Sequence, residues 1–202
     1  MIGVNMKIYD ISQELFSCVV WPGDPAPEKQ ILNSMDDGDL YNLTSFSMCA
    51  HNGTHIDAPS HFINGAKNVD QIDLSKFVGY AFVADFDGIV TESDARVIIE
   101  KARAISSECS KRILLKGKTT VSLEAAKVFA EYEIHLLGNE SQTVGPEDAP
   151  MAVHKVLLVS EVVLLEGVRL ACVPEGAYLL SAAPINLAGA EGSPCRAILI
   201  DL

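Results

Sequence analysis

Three of the chain's five histidines lie within one short segment, HNGTHIDAPSH, which spans residues 51–61. Gly53 and Pro59 both disfavour an α-helix, so the i, i+4 spacing of His51 and His55 does not indicate one helical face. A tight turn at the Asn-Gly pair, followed by an extended segment, fits these residue types better. The chain must therefore fold here as a turn that leads into a strand.

The extended part of this segment is expected to gather metal-ligating side chains. Side chains alternate along a strand, so His55 and Asp57 point to the same side, and the preceding turn can bring His51 back beside them. Two imidazoles and one carboxylate that converge form the ligand set of a catalytic Zn²⁺ with open coordination positions. The alternative is a polar loop whose histidines only form hydrogen bonds.

His154 and Glu166 are candidates for a second metal position. His154 lies in a predicted helix that begins near Ala149, and Glu166 directly follows an apolar run that indicates the end of a buried strand. Buried carboxylates need partners, and a metal ion is one. Considered alone, His154 is typical of a surface or capping residue and Glu166 of a strand-end charge. His135, in the apolar segment IHLL, is interpreted as a structural histidine.

Length, charge and cysteine content restrict the class of protein. At 202 residues, and with about 150 residues per domain as a prior, the chain is expected to form one domain over residues 1–202. Its net charge of −12 argues against a nucleic-acid partner. No run reaches the roughly 18 apolar residues of a membrane span, and no secretory signal is evident. Five widely spaced cysteines indicate reduced thiols in a cytoplasmic protein.

Strand-like and helical segments are mixed along the chain, which predicts an α/β fold. Strands are predicted over six segments: Lys7–Ile11, Asn42–Cys49, Tyr80–Phe86, Arg112–Leu115, Ile134–Leu137 and Ala197–Leu202. Helices are predicted over Ser93–Ile105, with Ser93 as cap, over Ser122–Tyr132, and from Ala149 to about Val159. The alternation is not the strict βαβ repeat of a doubly wound fold, and no glycine-rich phosphate-binding motif is present. Nucleotide-dependent chemistry is therefore disfavoured.

The motifs together resemble the metal-dependent cyclase-like hydrolases, whose signature is HxGTHxDxPxHF. Residues 51–62 match every specified position of that signature. Tyr9-Asp10-Ile11-Ser12 and Trp21-Pro22-Gly23-Asp24 are similar to the family's N-terminal pattern, and the segments 165–167 and 192–197 resemble its C-terminal landmarks. The resemblance covers nearly the whole chain, and the histidine motif is its most specific part.

The resemblance implies a fold and a metal centre. The implied fold is a swivelling β/β/α arrangement with a mixed, barrel-like β core, and the implied assembly is a homodimer or a higher homo-oligomer. A first metal ion would be held by His51, His55 and Asp57, and Asp57 would bridge to a second ion held by His154 and Glu166. Zn²⁺ is the expected metal, with up to two ions per chain. Mn²⁺ is the alternative, and the same ligand types also suit Fe²⁺.

The resemblance also implies hydrolysis of a small-molecule amide, first of all an aryl formamide such as N-formylkynurenine. Metal-activated water would attack the carbonyl, and His61, which the ligand set leaves free, would serve as acid and base. Trp21, Thr54 and Phe62 are the expected substrate-binding residues. The metal would stabilise the oxyanion together with either a backbone N–H or the Thr54 hydroxyl. A cyclic amide such as isatin is the alternative substrate. A non-catalytic metal- or ligand-binding module and a structural metal site are the alternatives from other classes.

Overall fold

The computed structural model describes residues 6–201, and within them the chain forms thirteen strands, three α-helices and six single-turn 3-10 helices. The strands are β1 (Lys7–Asp10), β2 (Glu28–Asn33), β3 (Leu43–Ser47), β4 (His55–Asp57), β5 (Val78–Asp85), β6 (Gly88–Val90), β7 (Arg112–Lys116), β8 (Thr119–Val121), β9 (Leu136–Asn139), β10 (Val163–Glu166), β11 (Gly176–Ser181), β12 (Gly192–Pro194) and β13 (Ile198–Asp201). The helices are α1 (Glu92–Ile105), α2 (Leu123–Glu131) and α3 (Met151–Val159).

Nine strands form one curled, half-barrel sheet in the order β1-β13-β11-β5-β7-β9-β10-β4-β12. The central strands β5, β7, β9 and β10 are parallel, and α1, α2 and α3 make the successive crossovers between them. The strands on either side pair antiparallel. The βαβ repeat is therefore confined to the middle of the chain, and the predicted α/β class with a mixed, barrel-like core is confirmed.

Buried side chains cover both faces of the central strands. In β5, Phe82 and Ala84 pack with the helices, whereas Ala81 and Val83 pack into a second cluster on the opposite face. A strand that is buried on both faces carries a nearly continuous apolar run. Val162–Leu165 is such a run, and it includes the first three residues of β10. The helix-covered face is the one that carries the candidate site.

The helices start close to their predicted positions. Thr91, rather than Ser93, caps α1: its hydroxyl accepts the backbone N–H of Asp94, whose carboxylate accepts the N–H of Thr91 in return. Ser122 caps α2 as predicted, through the N–H of Ala125 at 3.1 Å. Polar caps followed by apolar residues at helical spacing are local signals, which is why the sequence indicates them.

Several strands lie outside the predicted set. β2 pairs with β3 in a separate two-stranded sheet, and its side chains are largely exposed, so they lack the alternation that marks a half-buried strand. β12 contains both a glycine and a proline, which only an edge strand tolerates. No helix within the described part of the chain is long and apolar enough to cross a bilayer.

Candidate active site

Strand pairing brings three of the predicted ligands onto one face of the sheet. β4 pairs antiparallel with β10, which places His55 opposite Glu166 and Asp57 opposite Leu164. Residues directly opposite each other in an antiparallel pair share a face. Leu164 belongs to the helix-covered core, so the other three side chains also face the helices. Helix α3 lies on that face and adds His154.

The predicted turn before β4 is present and returns His51 to this group. The Asn52 side chain accepts the backbone N–H of Cys49 at 2.8 Å, and Gly53 adopts a φ of +67°, in the left-handed region that favours glycine. The Nδ1–H of His51 then donates to Asp57 Oδ1 at 2.8 Å. The turn therefore places an imidazole from outside the strand next to the buried carboxylate.

Backbone carbonyls orient two of the imidazoles. His55 donates its Nδ1–H to the carbonyl of Gly53 at 3.0 Å, and His154 donates its Nδ1–H to the carbonyl of Pro150 at 2.9 Å. Each ring therefore presents Nε2 to the carboxylates: His55 Nε2 lies 3.4 Å from Asp57 Oδ1, and His154 Nε2 lies 3.1 Å from a Glu166 oxygen. A ring held through one nitrogen so that the other faces the ion is the usual arrangement of a metal-ligating histidine.

The donor set fits a divalent metal ion. Two ligand atoms that each lie about 2.1 Å from a tetrahedral ion are about 3.4 Å apart, close to the separations observed here. Among the described residues, the predicted ligands form two groups of three ligand atoms that are close enough to hold an ion, and Asp57 belongs to both. One group adds His51 and His55, and the other adds His154 and Glu166. The structure therefore brings all five predicted ligands together as two adjacent triads.

The charges within the cluster compensate one another. Asp57 and Glu166 are only 1% and 2% exposed. Burial opposes protonation of His51, but its hydrogen bond to Asp57 and the nearby carboxylate charges outweigh burial and raise the pKa of His51 to about 9. Burial likewise lowers the pKa of His154, but its hydrogen bond to Glu166 and the nearby carboxylate charges outweigh burial and raise the pKa to about 9. A divalent ion would replace these protons as the balancing charge.

His61 lies beside the ligands, but its pKa is shifted in the opposite direction from the pKa values of His51 and His154. Its ring centroid is 4.1 Å from that of His51 and 6.5 Å from that of His154. Burial lowers the pKa of His61 below its ordinary value of 6.5, despite the opposing charge of Asp57. Among the described residues no side chain forms a hydrogen bond to this ring. His61 is therefore neutral at pH 7 and has a nitrogen available to accept a proton.

The ligands and His61 line one cavity of about 300 Å³. Its other lining residues are Trp21, Asp24, Phe62, Gln142, Thr143, Pro150 and Glu191. Phe62 packs against the rings of His61 and His154, and Trp21 also lines a neighbouring cavity of about 640 Å³. Two of the three expected substrate contacts, Trp21 and Phe62, thus border the space in front of the ligands.

The structure corrects the expectation for Thr54, which does not line this cavity. Its hydroxyl accepts the backbone N–H of Gln13 at 2.9 Å and donates to the carbonyl of Gly167 at 2.8 Å. A hydroxyl has only one proton to donate, and this one is already engaged. Thr54 therefore ties the histidine loop to the segment after β10 and cannot stabilise an oxyanion in this arrangement.

Glu191 is a site residue that the sequence analysis misses. Its carboxylate lies 3.3 Å from His51 Nε2, and with His51 and His61 it forms a third group of close ligand atoms. The only local signal is its position directly before β12, whose pairing with β4 depends on the long-range fold. His135, in contrast, lies before β9 and does not line the cavity, so its structural interpretation stays a prediction.

Comparisons with known proteins agree with this geometry. Residues 9–146 match the family model of the Cyclase family. The chain belongs to the cyclase family. It is 33% identical over 207 residues to a kynurenine formamidase of Bacillus anthracis, and the alignment covers 96% of this chain and 97% of that protein.

Solved structures share the architecture. A structure described as a potential metal-dependent hydrolase with cyclase activity is 26% identical, with a TM-score of 0.78 and 98% coverage of both chains. Isatin hydrolase A from Ralstonia solanacearum is 20% identical, with a TM-score of 0.82 and coverage of 98% of this chain and 93% of that one, which supports the fold alone. Family membership and the donor set identify the chain as a metal-dependent hydrolase of the cyclase type, acting on an amide carbon–nitrogen bond other than a peptide bond.

Proposed function

We propose that this cyclase-family enzyme hydrolyses an aryl formamide, and that N-formylkynurenine is the first substrate to test. The observation that carries the proposal is the position of His61 beside two ligand triads that share Asp57, all lining one cavity. The kynurenine formamidase relative, aligned over 96% of this chain, supports the choice of a formamide.

The proposal assigns the ligands to two Zn²⁺ ions, with Mn²⁺ as the alternative. His51, His55 and Asp57 would hold one ion, and Asp57, His154 and Glu166 the other. When bound, such an ion would polarise the scissile carbonyl and lower the pKa of water toward about 7. Imidazole and carboxylate donors suit several divalent metals, so the choice between Zn²⁺ and Mn²⁺ rests on metal analysis.

His61 would transfer the proton. Its neutral imidazole accepts a proton from the attacking water, whose oxygen bonds to the formyl carbon. The carbon–nitrogen bond then breaks, and the imidazolium returns the proton to the departing amine, which leaves formate and an aryl amine. Phe62, edge-on to the His61 ring at a centroid distance of 4.4 Å, and Trp21 would border the aryl group of the substrate.

Isatin is the second candidate substrate, because the cavity, in the part of the chain that the structure describes, offers no lysine or arginine to pair with a carboxylate. Within residues 6–201, no lysine or arginine lines the cavity, whereas Asp24 and Glu191 do. The α-carboxylate of N-formylkynurenine would therefore meet no lysine or arginine here, and it would lie near two further carboxylates. A neutral cyclic amide avoids that unfavourable position, and its hydrolysis uses the same ligands and the same proton transfer.

The test is hydrolysis of N-formylkynurenine and of isatin by enzyme loaded with Zn²⁺ or Mn²⁺, with a chelator-treated sample as control and metal counted per chain. We expect metal-dependent turnover with kcat/KM of at least about 10⁴ M⁻¹s⁻¹ for one of the two. Turnover of isatin alone would replace the formamide assignment. Turnover of neither by fully loaded enzyme would refute the proposed substrate class.

We further propose that two copies associate through the hairpin formed by β2 and β3. Large apolar side chains are exposed along this segment: Ile31, Leu32, Met35, Leu40, Tyr41, Leu43 and Phe46. Exposed apolar patches of this kind mark interaction surfaces. Because each copy carries a net charge of −12, contact through the apolar side chains is favoured over contact through the charged ones.

A cytoplasmic location is also proposed, supported by the five free cysteines.

A further inference from the structure

Among the described residues, one member of the cavity wall carries a buried hydroxyl without a hydrogen-bond partner. Thr143 lines the cavity in front of the ligands and is 3% exposed, and its Oγ1 has no partner anywhere in residues 6–201. The backbone of Thr143 is engaged, since its carbonyl accepts the side-chain N–H of Asn139 at 2.8 Å. The hydroxyl is therefore the one polar group of this residue that remains available to a ligand.

An unpaired buried hydroxyl is unfavourable, and valine would fill the same volume without it. The loop that carries Thr143 is nevertheless well fixed. The next residue, Val144, donates its N–H to Glu166 at 2.8 Å, and the preceding Gln142 donates its side-chain N–H to the carbonyl of Gly53 at 3.0 Å. Thr143 is thus held next to a ligand carboxylate by contacts on both sides, which is how a preorganised donor is built.

We propose that the Thr143 hydroxyl donates a hydrogen bond to the carbonyl oxygen of the substrate and keeps this bond as negative charge develops on that oxygen. This inference rests on the proposed amide hydrolysis. It assigns to Thr143 the task that Thr54 cannot perform, because the Thr54 proton is already donated to the carbonyl of Gly167. A donor that strengthens its bond in the transition state raises kcat more than it lowers KM.

The test compares Thr143→Val with Thr143→Ser, using whichever of N-formylkynurenine and isatin the wild type hydrolyses. Loss of one oxyanion donor typically lowers kcat by about 10²–10³-fold, so we expect Thr143→Val to lose at least about tenfold in kcat. KM should change little, and metal content should equal that of the wild type. Thr143→Ser keeps the hydroxyl and should retain most of the activity.

Thermal stability separates a substrate contact from a structural role. Because Thr143→Val removes an unpaired buried polar atom, its Tm should equal or exceed that of the wild type. Thr119→Val is the matched control: the Thr119 hydroxyl is also buried and unpartnered among the described residues, but it does not line the cavity. By the same argument, the Tm of this control should equal or exceed that of the wild type, and the control should keep full activity.

Three results would overturn the inference. If Thr143→Val keeps the wild-type kcat, the hydroxyl does not bind the reacting oxygen, although the proposed function stands. If the variant loses metal or Tm in parallel with activity, Thr143 supports the ligand set or the fold instead. If the wild type hydrolyses neither substrate when fully loaded with metal, the proposed function fails, and the role of Thr143 fails with it.

Discussion

Gly192 has no side chain, and the ring of His51 occupies the space that a side chain would need. A substitution at Gly192 therefore tests whether the position of His51 is essential to the site. Gly192 lies opposite Asp57 in the β12–β4 pair. A Cβ added to Gly192 would lie 2.5 Å from Cε1, 2.8 Å from Nε2 and 3.1 Å from Nδ1 of His51. The backbone of Gly192 is outside the left-handed region, so alanine introduces no backbone strain there. Gly192→Ala therefore perturbs the imidazole and leaves the strand intact.

The size of the effect follows from these distances. Non-bonded carbon atoms prefer a separation of about 3.5–4.0 Å, so the ring of His51 must move by about 1 Å. The ring is held at 2.8 Å from Asp57 on one side and 3.3 Å from Glu191 on the other, and a shift of that size breaks at least one of these contacts. A misplacement of about 1 Å in a catalytic site can cost about 10²-fold in rate. We expect that loss in kcat/KM, together with a measurable loss of metal.

The assay is a double-mutant cycle with His51→Ala, in which metal content, Tm and kcat/KM are measured for each variant. If Gly192→Ala acts only by displacing His51, it adds no further loss in the His51→Ala background, because the clashing ring is gone. Wild-type metal content and activity in Gly192→Ala would refute the reasoning. Additive losses in the double variant would show that alanine disturbs something other than His51.

Further predictions concern the acid/base residue, pH and assembly. His61→Ala should lower kcat by about 10²–10⁴-fold with full metal content; an equal loss of metal by elemental analysis would make His61 a ligand instead. The Tm of the metal-free protein should fall as pH rises toward and through about 9. His51 and His154 have raised pKa values of about 9 in the folded protein, so their protonation stabilises the fold fully below about 6.5 and no longer above about 9. In a calorimetric scan of metal-loaded enzyme that loss should be absent, and its persistence would contradict the assignment of these residues as ligands. Leu40 is 95% exposed on the hairpin, and Leu40→Glu should convert a dimer into a monomer in sedimentation analysis. A monomeric wild type would refute the proposed interface.

The convergence of His51, His55 and Asp57 was predictable because it depends on local rules. A strand places alternate residues on one side whatever its neighbours are, and an Asn-Gly pair favours a turn whatever follows. The structure shows both features and brings the three side chains together. The approach of His154 and Glu166 to this group rested on the family resemblance, since spacing alone does not place a helix on a strand.

The contributions of Glu191 and Gly192 were not predictable, since they depend on which strands pair. Glu191 is 140 positions away from His51, and only the pairing of β12 with β4 brings the two together. Nothing in a three-residue segment that contains glycine and proline indicates a strand. A short edge strand of this kind forms because it pairs with a neighbouring strand, here β4, and local sequence does not reveal that pairing.

The two threonines show a different limit of sequence reasoning. Thr54 lies within the histidine motif, and proximity in sequence makes it the natural candidate for an oxyanion donor. In the fold, the Thr54 proton is donated to the carbonyl of Gly167. Thr143, far away in sequence, lines the cavity, and its buried hydroxyl has no partner within residues 6–201. Which hydroxyl is available depends on the complete set of hydrogen bonds around each residue, and that set exists only in the folded chain.

Charge balance links the buried ligands to catalysis. Asp57 and Glu166 are buried together, and buried negative charges require compensation, which protons on His51 and His154 provide without metal. One divalent ion matches the charge of these two carboxylates. A second ion would need additional negative charge, which the Glu191 carboxylate, 3.3 Å from His51 Nε2, can supply.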